Sequence, residues 1–124
     1  MKILDLPLKW KWYDMIESGE KLEEYREIKP YWEKRILDYK RLQAYVVENN
    51  KELVAKRLLF PHRAVIENVC ESFSRGYTHV RFRYGYTKRT MLFKLDNISI
   101  GKGRAEWGAP DDVVFILKLG ERIA

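Results

Sequence analysis

Residues Gly19–Arg26 read Gly-Glu-Lys-Leu-Glu-Glu-Tyr-Arg, and they follow the predicted end of a short helix. In a β-strand, alternate side chains line one face. Glu24 and Arg26 are therefore predicted to point the same way, beside the apolar residues Leu22 and Ile28. A carboxylate and a guanidinium on a half-buried face must be paired or must hold a ligand, because an isolated buried charge is too costly.

Two interpretations of this stretch stay open. We predict a strand over Lys21–Ile28, with Lys21 at its start, where side-chain direction is less regular. In the first interpretation, Arg26 and Glu24 form a structural ion pair and Lys21 is solvated. In the second, the three charged side chains line a binding cleft.

Composition limits the classes of protein that need to be considered. The chain has 124 residues, 46% hydrophobic and 34% charged, which is typical of one soluble globular domain spanning 1–124. No run of about 18 apolar residues exists, and the first residues lack the apolar core of a signal peptide. We therefore expect a cytoplasmic protein without membrane contact.

Cysteine and histidine are scarce. The single Cys70 excludes an internal disulfide and is expected of a cytosolic protein. One cysteine and two separated histidines, His62 and His79, cannot build a Cys/His zinc site. We expect no metal and no cofactor.

The charge points to a polyanionic partner. The formal net charge is +6 and the pI is about 9.4. The alternative is that the protein is merely basic and soluble. Together with the aromatic residues, the charge favours RNA or a nucleotide as ligand. The sequence gives no prediction of oligomeric state.

The hydrophobic pattern predicts several strands and few helices, typical of an α+β fold with a small mixed β-barrel. We expect a helix beginning at Pro30 and a bulge at Asp96-Asn97. The other predicted elements are strand Lys2–Leu8, helix Lys9–Ser18, strand Tyr77–Tyr84, strand Arg89–Ile100, loop Gly101–Asp112 and strand Val113–Leu119.

The segment at about 38–75 is predicted to be a mostly helical insertion. Asn49 and Glu52 resemble a helix N-cap with its reciprocal glutamate. Apolar residues recur at helical spacing before and after Pro61, and Gly76 ends the pattern. Arg41–Glu48 is open to a second interpretation as a strand, because it contains β-branched and aromatic residues.

Gly19, Lys21, Glu24 and Arg26 fit the pattern GxKxxExR, which resembles the signature of the ASCH domain, a branch of the PUA-like superfamily. The resemblance extends over residues 1–37 and 77–123 and includes small ASCH proteins of bacteria and their phages. Three further segments share it: Pro30-Tyr31-Trp32, Gly101-Lys102-Gly103 and Trp107-Gly108-Ala109-Pro110. It implies a PUA-like β-barrel with flanking helices, in which the motif residues line the ligand cleft.

The resemblance also implies an alternative function. Some small ASCH proteins are amidohydrolases acting on acetylated cytidine, with the motif lysine as nucleophile or base beside a threonine and a distant glutamate. This chain has Glu24 in place of the threonine, and Lys94 aligns with the glutamate. Because a neighbouring glutamate raises a lysine pKa, and no source of desolvation is evident in the sequence, we expect Lys21 to stay protonated.

A second group of candidate ligand-binding residues is Arg81, Arg83, Tyr84 and Tyr86. Arginines on one strand face contact phosphates, and tyrosines nearby stack on bases. The alternative is the solvated face of an edge strand, with Tyr84 in the core. No recognition helix is visible, so single-stranded RNA is favoured over duplex DNA.

A third group is Gly101-Lys102-Gly103-Arg104 with Trp107. Small residues let backbone amides approach a phosphate, and Trp107 is placed to cover a base. The alternative is a turn with Trp107 folded onto the core. Trp10, Trp12 and Trp32 are assigned to packing.

The sequence also leaves open a class of protein that needs no ligand cleft. Such an accessory protein would use an exposed apolar face on the 38–75 insertion.

Overall fold

A computed structural model of the chain describes residues 1–49 and 74–124. The predicted N-cap pair Asn49/Glu52 and the helical pattern around Pro61 lie, in whole or in part, outside the described residues. In chain order the described elements are β1 Ile3–Leu8, α1 Trp10–Glu17, β2 Glu23–Glu27, α2 Pro30–Ile36, α3 Tyr39–Asn49, β3 His79–Tyr84, β4 Thr90–Lys102, the 3-10 turn η1 Ala105–Trp107 and β5 Val113–Arg122.

The five strands form one sheet in the order β1-β3-β4-β5-β2. β1 and β3 are parallel, and the other neighbouring pairs are antiparallel. The sheet is curled into half of a barrel, which places β1 and β2 at its two edges. The prediction of an α+β fold with few helices is confirmed, and the half-barrel sheet is consistent with the predicted small β-barrel.

Alternation of apolar and polar residues explains the strands next to the site. In β1 the side chains of Leu4, Leu6 and Leu8 are buried, and in β3 those of Val80 and Phe82 are buried. Helix α1 packs against both of these strands. The core of the sheet is therefore assembled from residues whose period the sequence already displays.

The pairing of β4 is irregular where the sequence predicts a bulge. Its register with β5 shifts between Phe93 and Leu95 and again between Leu95 and Asn97. This irregularity confirms the predicted bulge at Asp96-Asn97, since an extra residue on one strand displaces the pairing and increases the local twist.

Arg41–Glu48 lies within helix α3, so the helical prediction is confirmed for that segment and the alternative of a strand is excluded. One local prediction is wrong. Trp10, predicted to pack, is 65% exposed at the first residue of α1, whereas Tyr13 and Ile16 further along the helix are buried.

The chain divides into two compact units, which are described separately. The first, Met1–Glu27 with Gly76–Ala124, contains the whole sheet. The second, Ile28–Arg75, contains α2 and α3 and includes the predicted insertion. Within it, Arg75 Nε donates to the carbonyl oxygens of Lys34 and Leu37, both at 2.9 Å.

No helix within residues 1–49 and 74–124 is long and apolar enough to cross a membrane.

Candidate functional site

The turn after α1 sets the position of Lys21. Gly19 adopts φ +85°, a left-handed conformation that glycine takes without a Cβ penalty, and its N–H donates to the carbonyl of Ile16. Two residues later, the N–H of Lys21 donates to the carbonyl of Met15 at 3.0 Å. The backbone at Lys21 is thus tied to the last turn of the helix before β2 begins.

Lys21, Glu24 and Arg26 converge on one another. Lys21 Nζ lies 3.0 Å from Glu24 Oε1, and Arg26 Nη1 lies 2.8 Å from Glu24 Oε2. Glu24 Oε1 also accepts a hydrogen bond from the N–H of Tyr25 at 3.0 Å. One carboxylate therefore serves two cations and a backbone donor, and we call these three charged residues the ion triad.

The ion triad is largely removed from solvent. Lys21 is 2% exposed and Glu24 is 4% exposed, and the Arg26 side chain is 14% exposed. Lys21 Nζ donates to the carbonyl of Trp107 and lies 4.7 Å from the ring centroid of Trp12. The lysine is therefore surrounded by one carboxylate, one carbonyl and aromatic faces.

The burial of Lys21 corrects an expectation from the sequence. Burial lowers the pKa of Lys21 below its ordinary value of 10.5, because the charged ammonium is desolvated, and Glu24 only partly opposes this effect. The prediction that Glu24 would dominate is wrong in direction. The sequence does not display the residues that exclude water from the lysine, since they come from α1 and from the segment after β4.

Arg26 connects the two edges of the sheet. On its own strand it donates to the carbonyl of Tyr25 at 2.7 Å, and across the opening it donates from Nη2 to the carbonyl of Pro7 in β1 at 3.3 Å. β1 and β2 are not hydrogen-bonded neighbours in the sheet. The guanidinium therefore links the two edge strands through a side chain.

The prediction that alternate residues of β2 share one half-buried face is confirmed only in part. Glu24 and Arg26 do share a partner, but Leu22, predicted to accompany them on a half-buried face, is 55% exposed. Tyr25, whose side chain alternates with those of Glu24 and Arg26 along the strand, is buried in a small cluster with Trp107 and Val114. The strand begins at Glu23, so the alternation does not reach Leu22, and the curled sheet is covered on both sides at Tyr25.

Tyr25 joins the ion triad to the loop after β4. Its hydroxyl donates to Glu23 at 2.8 Å and accepts the N–H of Arg104 at 3.1 Å. Burial, reinforced by the neighbouring Glu23, raises the pKa of Tyr25 to about 12. A Cβ added to Gly103 would lie 2.6 Å from Tyr25 Cζ, so only glycine fits where this loop crosses the ring.

The second group of candidates lies elsewhere on the sheet. β4 and β5 stand between β3 and β2 in the strand order. Arg81 pairs with Asp5 of β1 at 3.3 Å, and Arg83 is exposed. Tyr84 packs edge-on against Tyr13 with ring centroids 5.0 Å apart. These candidates lie on β3 and the turn after it, and Arg83 is in register with Pro7, whose carbonyl accepts from Arg26 of the ion triad.

The remaining candidates divide between surface and core. Tyr86, at the turn after β3, is 99% exposed. The Lys102 side chain is 70% exposed, with Nζ 3.5 Å from a carboxylate oxygen of Asp111. Trp107 is 9% exposed and packs in the cluster around Tyr25, and its carbonyl oxygen accepts from Lys21. Its contribution to the site therefore comes from the backbone.

Sequence reasoning missed two residues of the site. The sequence predicts only a packing role for Trp12, yet Lys21 lies against its ring. It gives Tyr25 no role at the site, although the ring centroid of Tyr25 is 5.1 Å from Lys21 Nζ. The signal available in the sequence was the pairing of aromatic and basic residues at Lys11-Trp12 and at Tyr25-Arg26.

Within the described ranges, no group of three or more His, Cys, Asp or Glu side chains is arranged to hold a metal ion. What the site offers chemically is a desolvated ammonium, a shared carboxylate and a guanidinium beside aromatic faces. No family model matches the chain, and comparisons with curated proteins and with solved structures found no match either.

Proposed function

We propose that this chain is an RNA- or nucleotide-binding protein of the ASCH, PUA-like type, and that the ion triad forms part of its binding cleft. The observation that carries the proposal is the Lys21–Glu24 ion pair, because both residues are almost fully buried, with 2% and 4% of their surface exposed. The same residues are those that match the GxKxxExR pattern.

The energetics of the ion triad support a role beyond stability. Removing a lysine and a glutamate from water costs several kcal/mol per ion, and mutual attraction repays this only with good geometry. Apolar residues of similar size often stabilise a fold as well or better. Buried charges with a perturbed lysine, close to exposed cations, are typical of binding and catalytic sites.

Surface features support an anionic ligand with bases. The hairpin after β3 carries the exposed Arg83 and the 99% exposed Tyr86, which has its ring available for stacking. Arg81 is held by Asp5 in a partly exposed pair, whose strength is reduced by solvent. A strand of RNA long enough to reach from this hairpin to the loop after β4 would meet cations at both places.

Salt dependence tests the proposal. A fluorescently labelled short single-stranded RNA is titrated with the protein at several salt concentrations, and fluorescence anisotropy reports binding. We expect weak to moderate affinity that falls steeply with salt, because bound cations release counterions from the phosphates. The Arg81→Ala/Arg83→Ala double variant should show a smaller slope of log affinity against log salt.

A matched control removes the same charge elsewhere. Lys94 and Lys118 are exposed on β4 and β5. If the arginines contact phosphates, the Lys94→Ala/Lys118→Ala variant should retain the parental slope. Absence of binding at low salt, or binding that ignores salt, would exclude the proposed function.

A second candidate function is favoured by one observation. The lowered pKa of Lys21 is what a lysine nucleophile or base requires, so hydrolysis of acetylated cytidine or a related nucleoside is the alternative. Binding remains the better-supported function, because Glu24 stands 3.0 Å from the ammonium and stabilises its charged form.

A further inference from the structure

Trp12 and the backbone at Trp107 and Gly108 meet beside the ion triad, because Lys21 lies against the ring of Trp12 and donates to the carbonyl of Trp107. Gly108, which follows Trp107, approaches Trp12 so closely that an added Cβ would lie 2.8 Å from Trp12 Cζ2. Trp107 is 9% exposed and Trp12 is half-buried. Trp107 is therefore held in the core around Tyr25, while Trp12 packs on the neighbouring Gly108 and stays partly open to solvent.

An exposed cation lies over the indole ring of each of the two tryptophans, Trp12 and Trp107. Lys11 Nζ lies 4.8 Å from the ring centroid of Trp12, and the Arg104 guanidinium carbon lies 4.7 Å from that of Trp107. We call Lys11, Trp12, Arg104 and Trp107 the indole patch. An aromatic face attracts a cation without neutralising it, so both side chains are oriented while keeping their full charge.

The backbone beneath the indole patch is fixed. The N–H of Arg104 donates to the hydroxyl of Tyr25 at 3.1 Å, and Gly103 is pressed onto the same ring. Lys11 lies within helix α1, one residue before Trp12. The two cations are therefore presented from ordered segments, which reduces the entropy lost when they bind a ligand.

The carboxylates near the indole patch already have partners. Glu106 lies 3.7 Å from Arg104, and both side chains are more than three-fifths exposed, so solvent weakens the pair. Glu23 accepts the hydroxyl of Tyr25 at 2.8 Å. Underneath, Glu24 is already shared between Lys21 and Arg26. A ligand that reaches this surface meets the two cations of the indole patch.

We propose that the indole patch binds a phosphate group, so that the ligand is a phosphorylated nucleotide or an RNA phosphate and not a neutral nucleoside. The inference rests on the proposed function and specifies its ligand. A phosphate provides negative charge and several acceptor oxygens for the Lys11 ammonium and the Arg104 guanidinium. A base on the same ligand has the partly exposed ring of Trp12 beside it.

Isothermal titration calorimetry with each of the four ribonucleosides and its 5′-monophosphate tests the inference. We expect each monophosphate to bind about tenfold or more tightly than its nucleoside, from the hydrogen bonds between charged partners. The Lys11→Ala/Arg104→Ala variant should lose this preference. Lys94→Ala/Lys118→Ala, which removes the same charge from β4 and β5, should keep it.

A short oligouridylate with and without a 5′-phosphate separates the two sources of phosphate. Tighter binding of the 5′-phosphorylated form identifies a terminal phosphate as the ligand group. Equal binding of both forms, tighter than that of uridine and lost in Lys11→Ala/Arg104→Ala, identifies a phosphate within the chain. Either result supports the inference, and thermal melts establish that the variants are folded.

The opposing outcomes distinguish the inference from the function on which it rests. Equal affinity for nucleosides and monophosphates would overturn the inference and leave the proposed function standing. A preference for phosphate that survives in Lys11→Ala/Arg104→Ala would also overturn it, because the phosphate would then bind elsewhere. Failure of every nucleotide and oligonucleotide to bind would remove the proposed function and the inference together.

Discussion

The ammonium nitrogen of Lys21 lies 3.0 Å from Oε1 of Glu24, with the two side chains 1% and 6% exposed. The opposite carboxylate oxygen is 2.8 Å from Arg26. Glu24 is thus the only negative charge of the ion triad, and it faces two cations. It compensates the positive charge of Lys21, which has almost no contact with water. Each prediction about the site depends on what this carboxylate does.

Removing the Glu24 carboxylate should destabilise the fold. In Glu24→Ala, Lys21 keeps its burial and loses its counter-charge, and breaking a buried pair in this way costs about 3–5 kcal/mol. Urea unfolding followed by circular dichroism measures the change. The control is Glu121→Ala, because Glu121 is 72% exposed beside Lys94 and such pairs contribute at most about 1 kcal/mol.

Glu24→Gln separates a structural carboxylate from one retained for a ligand. If Glu24 serves the fold, this variant should also melt at a lower temperature. An unchanged or raised melting temperature together with weaker RNA binding would contradict the structural role, and would indicate that stability is given up for binding.

Lys21 should titrate below the ordinary lysine pKa of 10.5, since desolvation by burial outweighs the attraction of Glu24. Between the lowered pKa of the folded state and that of the unfolded chain, the unfolded chain binds the extra proton. The contribution of Lys21 to the free energy of unfolding therefore rises with pH across that window. Carbon-detected NMR of the lysine side chains, with Lys21→Met for assignment, measures the pKa directly.

Glu24→Gln provides the sign test for this prediction. Because Glu24 raises the Lys21 pKa, its neutralisation should lower that pKa further in the variant. In Lys21→Met, the alkaline rise in stability attributed to Lys21 should be absent. A Lys21 pKa at or above 10.5 in the parent protein would mean that the ammonium is better solvated than its surroundings indicate.

Gly108→Ala should be more damaging than Gly19→Ala. Both glycines have positive φ, at +96° and +85°, so both variants carry the left-handed backbone cost of roughly 1–2 kcal/mol. At Gly108 the new Cβ would also meet the ring of Trp12 at 2.8 Å, whereas at Gly19 it meets no described atom within 4 Å. Overpacking adds about 1–3 kcal/mol.

Thermal melts of the two glycine variants measure this difference, and tryptophan fluorescence reports the displacement of Trp12. Equal losses of stability would show that the Trp12 ring moves away from Gly108 without cost, and that the indole patch is not tightly packed there.

Hydrolysis of acetylated cytidine should be weak or absent. The lowered pKa of Lys21 favours catalysis, but the carboxylate of Glu24 holds the ammonium at 3.0 Å. A lysine in that pair is hindered as a nucleophile or base. Liquid chromatography after overnight incubation measures product, with Lys21→Ala as control. Robust turnover that disappears in the control would make the chain an enzyme.

Much of the scaffold was predictable because it depends on local pattern. The alternation of β1 and β3, the helix after Pro7 and the bulge in β4 all follow from residues within a few positions of one another. The failure at Trp10 has the same origin, because helical periodicity says that one face is buried but does not say which large side chain remains outside.

The charged residues of the candidate site were predictable from the sequence, but the side chains and strands that surround them were not. The pattern from Gly19 to Arg26 brought Lys21, Glu24 and Arg26 together, and the structure joins all three. The arginine and tyrosine candidates of β3 follow from strand alternation and from the ability of tyrosine to stack. Their relation to the ion triad depends on the strand order and on the bond from Arg26 to Pro7 in β1, which pairs with β3, and no local pattern encodes that arrangement.

By itself, the sequence determined the strands, the cap at Gly19 and the three charged residues of the motif, because these depend on backbone period and side-chain type. Only the tertiary structure decided that Lys21 is buried. Its carbonyl partner Trp107 is 86 positions away, and the ring of Trp12 comes from a different element. Desolvation depends on which atoms exclude water from the ammonium, and those atoms are brought together only by the folding of the curled sheet.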